Sequence, residues 1–572
     1  MRPSTPRERA VSYGITTVLA IALALLWLRP WSVSWEGAFP GANDLVWTQA
    51  QTEAHGQAGP FGITGHLSWP FGYRPWSHPV LGGLWAVLAW LFSGVAGVPS
   101  ALALYMCWIA SIGINAAAIL FLFRTWLGSH LAQIAVVVAA VTAASSFALT
   151  RVIQPNVAAY FLIPLAIGVV ARWPTASAKA RVALAAAIVT ASFAASMWWV
   201  IVALLIIAPV VAIELVRRQG LLARAALSVG VMLGVGFVGQ TLLYQSALHP
   251  GAAVTRGPWD SNLYGGHLVD LIISSPALNA LIPHLLAVSP GASIGASLVG
   301  STSMLAALGA LAVVLCGSPR KLGRAFDTRI LSDATVVAVL LFLAGGLGNL
   351  QSGLAVLVGM ESPARVFSRL IVVISILGLV WAMIGLSTIT RKYPAIGTSR
   401  QRRIAASSIC AVLLLLWYAD ARQTPPVYPI SNSSQPEASA VAFLTATAQP
   451  CPVAQLPQEG MPLVRTPPPP GEDAGRYYYR GLIPYLMAPS YSWSIGSWQP
   501  EGGSSLSTLT TDLGEADLKY LKAQGFCAVL YDVRLANAAR ASNTQLEGRD
   551  RAANLRADFD SDEYAVFLLS NW

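Results

Sequence analysis

Charge is what this chain has least of. Asp, Glu, Lys and Arg make up only 11% of its 572 residues, against about 25% in soluble globular proteins. Hydrophobic residues make up 55%, and mean hydropathy is +0.58. Several motifs are missing as well. Without a phosphate-cradling Gly-rich loop ending in Lys-Ser/Thr, ATP-driven transport has no support, and there is no Gly-x-Ser-x-Gly nucleophile elbow. No repeat of fixed period occurs. No small-residue cleavage site follows the first apolar stretch before Trp31, so that stretch reads as a retained helix. Cysteines number five. Cys107, Cys316 and Cys410 fall in apolar runs and read as small buried hydrophobes. Cys451 and Cys527 lie in the polar C-terminal region; they would pair if that region is outside the cytoplasm, and their spacing leaves the pairing open.

What the chain does have is a series of apolar runs of about 20 residues from Tyr13 to Trp417, each long enough to cross a bilayer. The fold class is a polytopic α-helical membrane protein. Its net charge of +10 sits in short loops between runs: Arg172, Lys179 and Arg181; Arg217, Arg218 and Arg224; Arg320, Lys321, Arg324 and Arg329; Arg391, Lys392, Arg400, Arg402 and Arg403. Basic short loops mark the cytoplasmic side, so the charge reports orientation and gives no nucleic-acid partner. The apolar segment 79–93 is short and suits an interfacial or re-entrant helix. Counting it as non-spanning leaves eleven spans, at 11–29, 99–123, 128–149, 156–172, 180–197, 198–216, 222–247, 300–317, 330–350, 366–387 and 404–420. Every basic loop then shares one side with the N-terminus. Residues 1–420 form the membrane domain, with external loops 30–98 and 248–299. Residues 421–572 form an extracytoplasmic α/β domain, with a helix over 515–524 and buried strands after Gly525 and from Tyr564.

A few polar residues at the predicted outer face carry candidate chemistry. Asp44 opens the stretch Leu45-Val-Trp-Thr-Gln-Ala-Gln-Thr-Glu; it reads as a helix N-cap and equally as a carboxylate within reach of a lipid-linked substrate. Arg365 and Arg369 share a helix face by their four-residue spacing, at an end where arginines run against the positive-inside rule. Guanidinium suits two-point contact with phosphate; snorkelling to headgroups is the plain alternative. Arg151 stands at another outward end. Glu53, His55, His78, Asp260, Tyr264 and His267 are candidate substrate contacts or solvated loop groups. The histidines show no metal-ligand spacing, so no metal site is assigned. Trp47, Trp69, Tyr73, Trp76 and Trp85 suit sugar stacking or a membrane interface.

The loop opening with Asp44, followed by Pro70-Phe-Gly-Tyr-Arg-Pro and His78-Pro-Val, resembles the GT-C superfamily of integral-membrane glycosyltransferases. Gln455-Leu-Pro, Tyr491-Ser-Trp-Ser-Ile-Gly-Ser-Trp, Gln524-Gly-Phe-Cys-Ala-Val-Leu-Tyr-Asp and the Glu361–Arg369 segment look like a bacterial group within it, whose C-terminal domain lies outside the plasma membrane. The resemblance implies a polyprenyl-phosphate-linked sugar donor, a glycan or lipid acceptor at the outer face, Asp44 as general base, and the arginines on the donor phosphate. Trp493 and Trp498 would help hold the acceptor glycan. Many members carry a second acid beside the first. Here Asn43 precedes Asp44, and Asp260 or Glu53 would have to substitute, so divalent-metal dependence stays open. The rival readings are a non-enzymatic lipid or glycan transporter and a surface-polysaccharide assembly protein.

Overall fold

The computed structural model describes residues 5–39, 44–69, 72–75, 83–127, 131–151, 155–245, 275–276, 280, 299–316, 328–346, 367–392, 399–456, 480–494, 513–534 and 555–572. Among these residues seven helices are long and apolar enough to cross a membrane. Helix α1 (Pro6–Leu28) begins with a proline, whose missing N–H is harmless in a first turn. Thr5 and Glu8 cap it reciprocally, at 3.2 and 2.8 Å. Next come α2 (Asp44–Ala58), α3 (Gly83–Ala89) with a π-helical turn at Trp90–Val95, and α4 (Ser100–Trp126). They are followed by α5 (Ala132–Ala143), α6 (Ser146–Thr150), α7 (Pro155–Ala158), α8 (Leu162–Arg172), α9 (Ala178–Ala194), α10 (Met197–Val216) and α11 (Gly220–Gln245). Further along the chain come α12 (Ser301–Cys316), α13 (Arg329–Gly346), α14 (Ile371–Lys392) and α15 (Ser399–Arg422).

Side-chain ties sort the helix ends into two sets. At one end the Trp27 indole donates to Thr424 O at 2.5 Å, Tyr428 Oη to Leu28 O at 2.6 Å and Trp417 to Ala144 O at 2.6 Å. Trp108 donates to Ala148 O at 2.8 Å and Trp199 to Val157 O at 3.0 Å. At the other end Arg172 Nε donates to Thr125 Oγ1 at 3.0 Å, Arg124 lies over Tyr13, and Arg217 binds both Glu214 and Asp333. The helices α1, α4, α5 and α8 to α15 therefore alternate between the two ends, eleven among the described residues. Gly378 of α14 crosses α12 so closely that a Cβ there would stand 1.9 Å from Ala306 O. On α11, Leu227, Val231, Val235, Val238 and Leu242 line one face, each more than half exposed. In water that face would cost about 5 kcal/mol, the scale of a whole domain's stability; in lipid it costs nothing comparable.

Two expected spans are interrupted. The segment 128–149 breaks at Ala144–Ser145 into α5 and α6, and 156–172 splits into α7 and α8. Both breaks lie at the end where the tryptophans donate to backbone carbonyls, so the freed backbone groups find partners there.

Beyond α15 the chain forms α16 (Ala438–Thr447), β1 (Pro452–Leu456), α17 (Ile483–Met487), β2 (Ser492–Trp493), α18 (Glu515–Ala523), β3 (Ala528–Asp532), β4 (Phe559–Asp560) and β5 (Tyr564–Leu568). The sheet order is β2-β1-β3-β5-β4, with β1 parallel to β2 and β3, and β5 antiparallel to β3 and β4. A disulfide joins Cys451 to Cys527 at the starts of adjacent strands β1 and β3, with Cα atoms 6.1 Å apart. The sheet's β2 edge does not stand alone. Trp493 N donates to His66 O at 2.9 Å, and Trp69 N to Trp493 O at 3.0 Å. The segment after α2 thus pairs with β2 and covers an edge that would otherwise invite another chain. This end of the bundle is called the sheet end below.

Candidate active site

Asp44 is the first described residue of α2. Its side chain lies outside the described residues. The backbone around it is held firmly. Gln49 Oε1 accepts from Phe39 N at 3.1 Å, and Gln49 Nε2 donates to Gly37 O at 2.9 Å and to Ser100 Oγ at 3.3 Å. Phe39 also packs on Tyr105, which packs on Trp35 and Trp108. The segment 37–39 and α2 are therefore tied through Gln49 to the start of α4, at the sheet end.

Arg151 and Arg369 reach the same end by another route. The Arg151 guanidinium lies 5.5 Å from the Phe147 ring centroid, and that of Arg369 lies 5.7 Å from Trp198. Between them the rings touch in sequence. Phe147 meets Tyr160 at 5.9 Å, Tyr160 meets Trp199 at 6.0 Å, and Trp199 meets Trp198 at 4.4 Å, all edge to face. Each ring pair contributes roughly 1 kcal/mol beyond burial. The result is one aromatic belt across the breaks α6/α7 and α9/α10 and the entry to α14, with an arginine over a ring at each extremity. Trp108, whose indole donates to Ala148 O, ties the belt to the cluster beneath the Asp44 loop. Contact with a ring stabilises a guanidinium through its charge, and its planar fork of N–H donors matches a phosphate.

A polar network lies on the other side of α2, against the C-terminal sheet. Gln57 Oε1 accepts from Thr64 Oγ1 at 2.9 Å and from Tyr485 Oη at 3.0 Å. Its Nε2 donates to Pro489 O at 3.2 Å. Burial holds the Glu53 carboxyl above the usual carboxylate range, against hydrogen bonds from Ser100 and Gln57 and the charge of His66, which pull it down. Burial, and then Glu53 nearby, push the Tyr485 hydroxyl up. Burial also drives His55 down to about 4, against its bond to Gly59 O. His55 is fully buried and its Nε2 has no hydrogen-bond partner, so it is not the solvated loop group its sequence context suggests.

Arg151 and Arg369 thus lie at the two ends of one run of rings, and Glu53 and His55 lie on α2 with Asp44. Arg365, His78, Asp260, Tyr264, His267 and Trp498 lie outside the described residues. Trp493 is fully buried and its indole donates to Ala488 O at 3.0 Å; it packs the sheet rather than offering a face to a glycan. Trp47 and Trp85 are buried as well. Sequence reasoning missed Gln49, Gln57, Tyr160 and Trp198–Trp199. Nothing in a single chain distinguishes them from ordinary span and loop residues. Among the described residues no three or more His, Cys, Asp or Glu converge as metal ligands would.

No model of a known protein family matches the chain, and no curated protein matches it. Several solved structures resemble it. The oligosaccharyltransferase of Archaeoglobus fulgidus, solved with Zn and sulfate, is 14% identical over 92% of this chain and 68% of its own, with a TM-score of 0.45. The same archaeal protein, AglB, solved with an inhibitory peptide and a dolichol-phosphate, is 15% identical over 91% of this chain and 69% of its own, at 0.44. The mycobacterial arabinofuranosyltransferase AftD, in a mutant form, is 14% identical over 99% of this chain at 0.48, and this chain spans 42% of its length.

Proposed function

We propose that this chain is a membrane glycosyltransferase that moves a sugar from a polyprenyl-phosphate donor to a glycan or lipid acceptor at the outer face of the plasma membrane. The observation that carries this reading is the aromatic belt. Arg151 and Arg369 stand over the two ends of this buried run of rings, which Trp108 links to the Phe39–Tyr105 cluster before α2, and this supports a role for both at the sheet end. The end with Arg124, Arg172 and Arg217 is cytoplasmic by its basic loops. The sheet end, with its Cys451–Cys527 disulfide, then lies on the oxidising side. Residues 1–420 hold the lipid-linked donor and residues 421–572 form the external domain.

In the reaction the donor's lipid tail stays in the bilayer, and its phosphate meets Arg369, Arg151 and Arg365. The acceptor hydroxyl oxygen attacks the anomeric carbon. The bond from that carbon to the phosphate oxygen breaks, and its electron pair leaves with the polyprenyl phosphate. Asp44 takes the hydroxyl proton, and the arginines offset the charge that grows on the departing oxygen. Direct displacement inverts the anomeric centre.

The test uses purified protein in lipid nanodiscs with a panel of sugar-labelled polyprenyl-phosphate monosaccharides and a cell-envelope glycan extract as acceptor. Asp44→Asn lowers the transfer rate by about 10²–10⁴-fold with the fold intact, and Arg369→Ala chiefly raises the donor KM. Normal product formation by Asp44→Asn would remove Asp44 as base, whereas no transfer by the parent protein with any donor would favour the transporter reading.

A further inference from the structure

We propose that the N-terminal turn of α10, through the Ser196 hydroxyl and the Trp198 indole N–H, binds the donor's phosphate alongside Arg369. The inference rests on the reading of Arg369 as a donor-phosphate contact and adds groups to it. Ala194-Ala195-Ser196 turns the chain between α9 and α10. Gln240, 1% exposed, holds this turn from α11, its Nε2 donating to Ser192 O at 2.5 Å and to Ala195 O at 3.0 Å. The start of α10 is thereby fixed in place.

Ser196 is the N-cap of α10, with extended backbone at φ −67° and ψ 149°. A serine there ordinarily accepts from an amide two or three residues on, as Ser177 does from Ala180 N at 3.3 Å on α9. The Ser196 hydroxyl makes no such bond. It is 1% exposed and has no partner. The Ser196 carbonyl takes Trp199 N at 3.0 Å and Val200 N at 3.3 Å, so the amides of Met197 and Trp198 have no acceptor within the helix. Trp198 Nε1 is likewise buried and unpartnered. Each of these four groups can donate a hydrogen bond, and a buried donor left unmatched is destabilising. The positive end of a 20-residue helix adds to them, with no acidic residue in its first turn. The Arg369 guanidinium stands 5.7 Å from the Trp198 ring centroid, over the same turn. A ligand that suits such a set is an anion with several acceptor oxygens, and a phosphate at a helix N-terminus is the common case. At this end of the bundle, on the reading above, that phosphate is the one on the polyprenyl donor.

The test reads binding and does not depend on turnover. Purified protein in detergent is titrated with radiolabelled polyprenyl phosphate in a scintillation-proximity assay, and thermal melting is recorded on the same samples. Trp198→Phe keeps a ring beneath Arg369 and removes the Nε1 donor. Ser196→Ala removes the hydroxyl, and Ser196→Thr keeps it. The expected affinity is about 10-fold lower for Ser196→Ala and for Trp198→Phe and near the parent's for Ser196→Thr, with Tm unchanged in all three. Parent-like affinity in both Ser196→Ala and Trp198→Phe overturns the proposal and leaves these donors to buried water. A lower Tm with parent-like affinity assigns the hydroxyl to folding and overturns it too. Displacement of the label by phosphatidylglycerol as readily as by unlabelled polyprenyl phosphate makes this a site for any anionic headgroup and overturns the assignment to the donor. No binding by the parent removes the donor contact and the inference together. If only Arg369→Ala binds weakly, the contact at Arg369 stands and the inference alone has failed. If the variants weaken binding as expected but the parent transfers no sugar, the transferase reading has failed and the phosphate site stands.

Discussion

The two ends of the helix bundle are held together in different ways. At the basic end the ties are short in sequence or ionic. Arg181 reaches Trp173 across 8 positions, Arg172 reaches Phe121 across 51, and Arg217 reaches Asp333 across 116. At the sheet end several join the first 60 residues to the tail. Trp27 reaches Thr424 across 397 positions, Tyr428 reaches Leu28 across 400, Gln435 reaches Ala38 across 397, and Gln57 reaches Pro489 across 432. The basic end needs only to stay at its membrane side. The sheet end gathers the first loop, the breaks in three helix runs and the tail into one rim. There the tail touches the segment before α2 through Ile430 and Gln435, and α2 itself through Pro489.

That contrast can be broken with pH. His55 stays neutral in the fold down to about pH 4, whereas an unfolded histidine takes its proton near 6.5. Its contribution to stability is full above 6.5 and is lost as pH falls from 6.5 to 4, by about 3 kcal/mol. Glu53 works the other way. Its raised carboxyl pKa favours the folded state at low pH and softens the loss. Protection of the 45–58 peptide against hydrogen exchange, corrected for intrinsic rates, is expected to drop by about 20-fold from pH 7 to 5. In His55→Leu the drop disappears. Peptides at the basic end keep the same protection at both values. A uniform loss across both ends would erase the distinction.

A smaller effect sharpens it from the other side. Arg217→Ala leaves the buried Glu214 and Asp333 without their shared cation. The Arg217 side chain is 42% exposed, so the loss is about 2 kcal/mol, between the exposed and the buried cases. Thermal melting in detergent reads that loss, and transfer per folded molecule is unchanged. A fall in specific activity would mean that the ion cluster reaches the site.

The same contrast explains what the sequence reveals. The spans follow from apolar length, and the charged loops between them from electrostatics, both of which are local. The helix at Glu515–Ala523 carries a local periodic pattern, the strands at Ala528–Asp532 and Tyr564–Leu568 are short continuous apolar runs, and all three match their expected places closely. The break between α9 and α10 falls at Ala195–Ser196, near the expected 197/198. Its cause is distant, because Gln240 Nε2 donates to Ser192 O at 2.5 Å and Ala195 O at 3.0 Å. β1 opens on a proline and runs Val-Ala-Gln-Leu, with nothing local to mark a strand whose partners lie 40 and 75 positions on. Trp493 reads as a sugar platform because tryptophan suits both roles; only packing in three dimensions buries it. Gln49 resembles the glutamine two positions later until Gly37 and Phe39 fold back against it.

The most direct test of a lipid-phosphate site at the sheet end is photocrosslinking in nanodiscs with a diazirine-bearing polyprenyl phosphate, mapped by peptide sequencing. Label is expected on residues 146–160, 196–199 and 367–371, competed by unlabelled polyprenyl phosphate and weakened by Arg369→Ala. Label confined to residues 172–181 and 217–224 at the basic end, or spread evenly along the lipid-facing side of α11 with no competition, would contradict it.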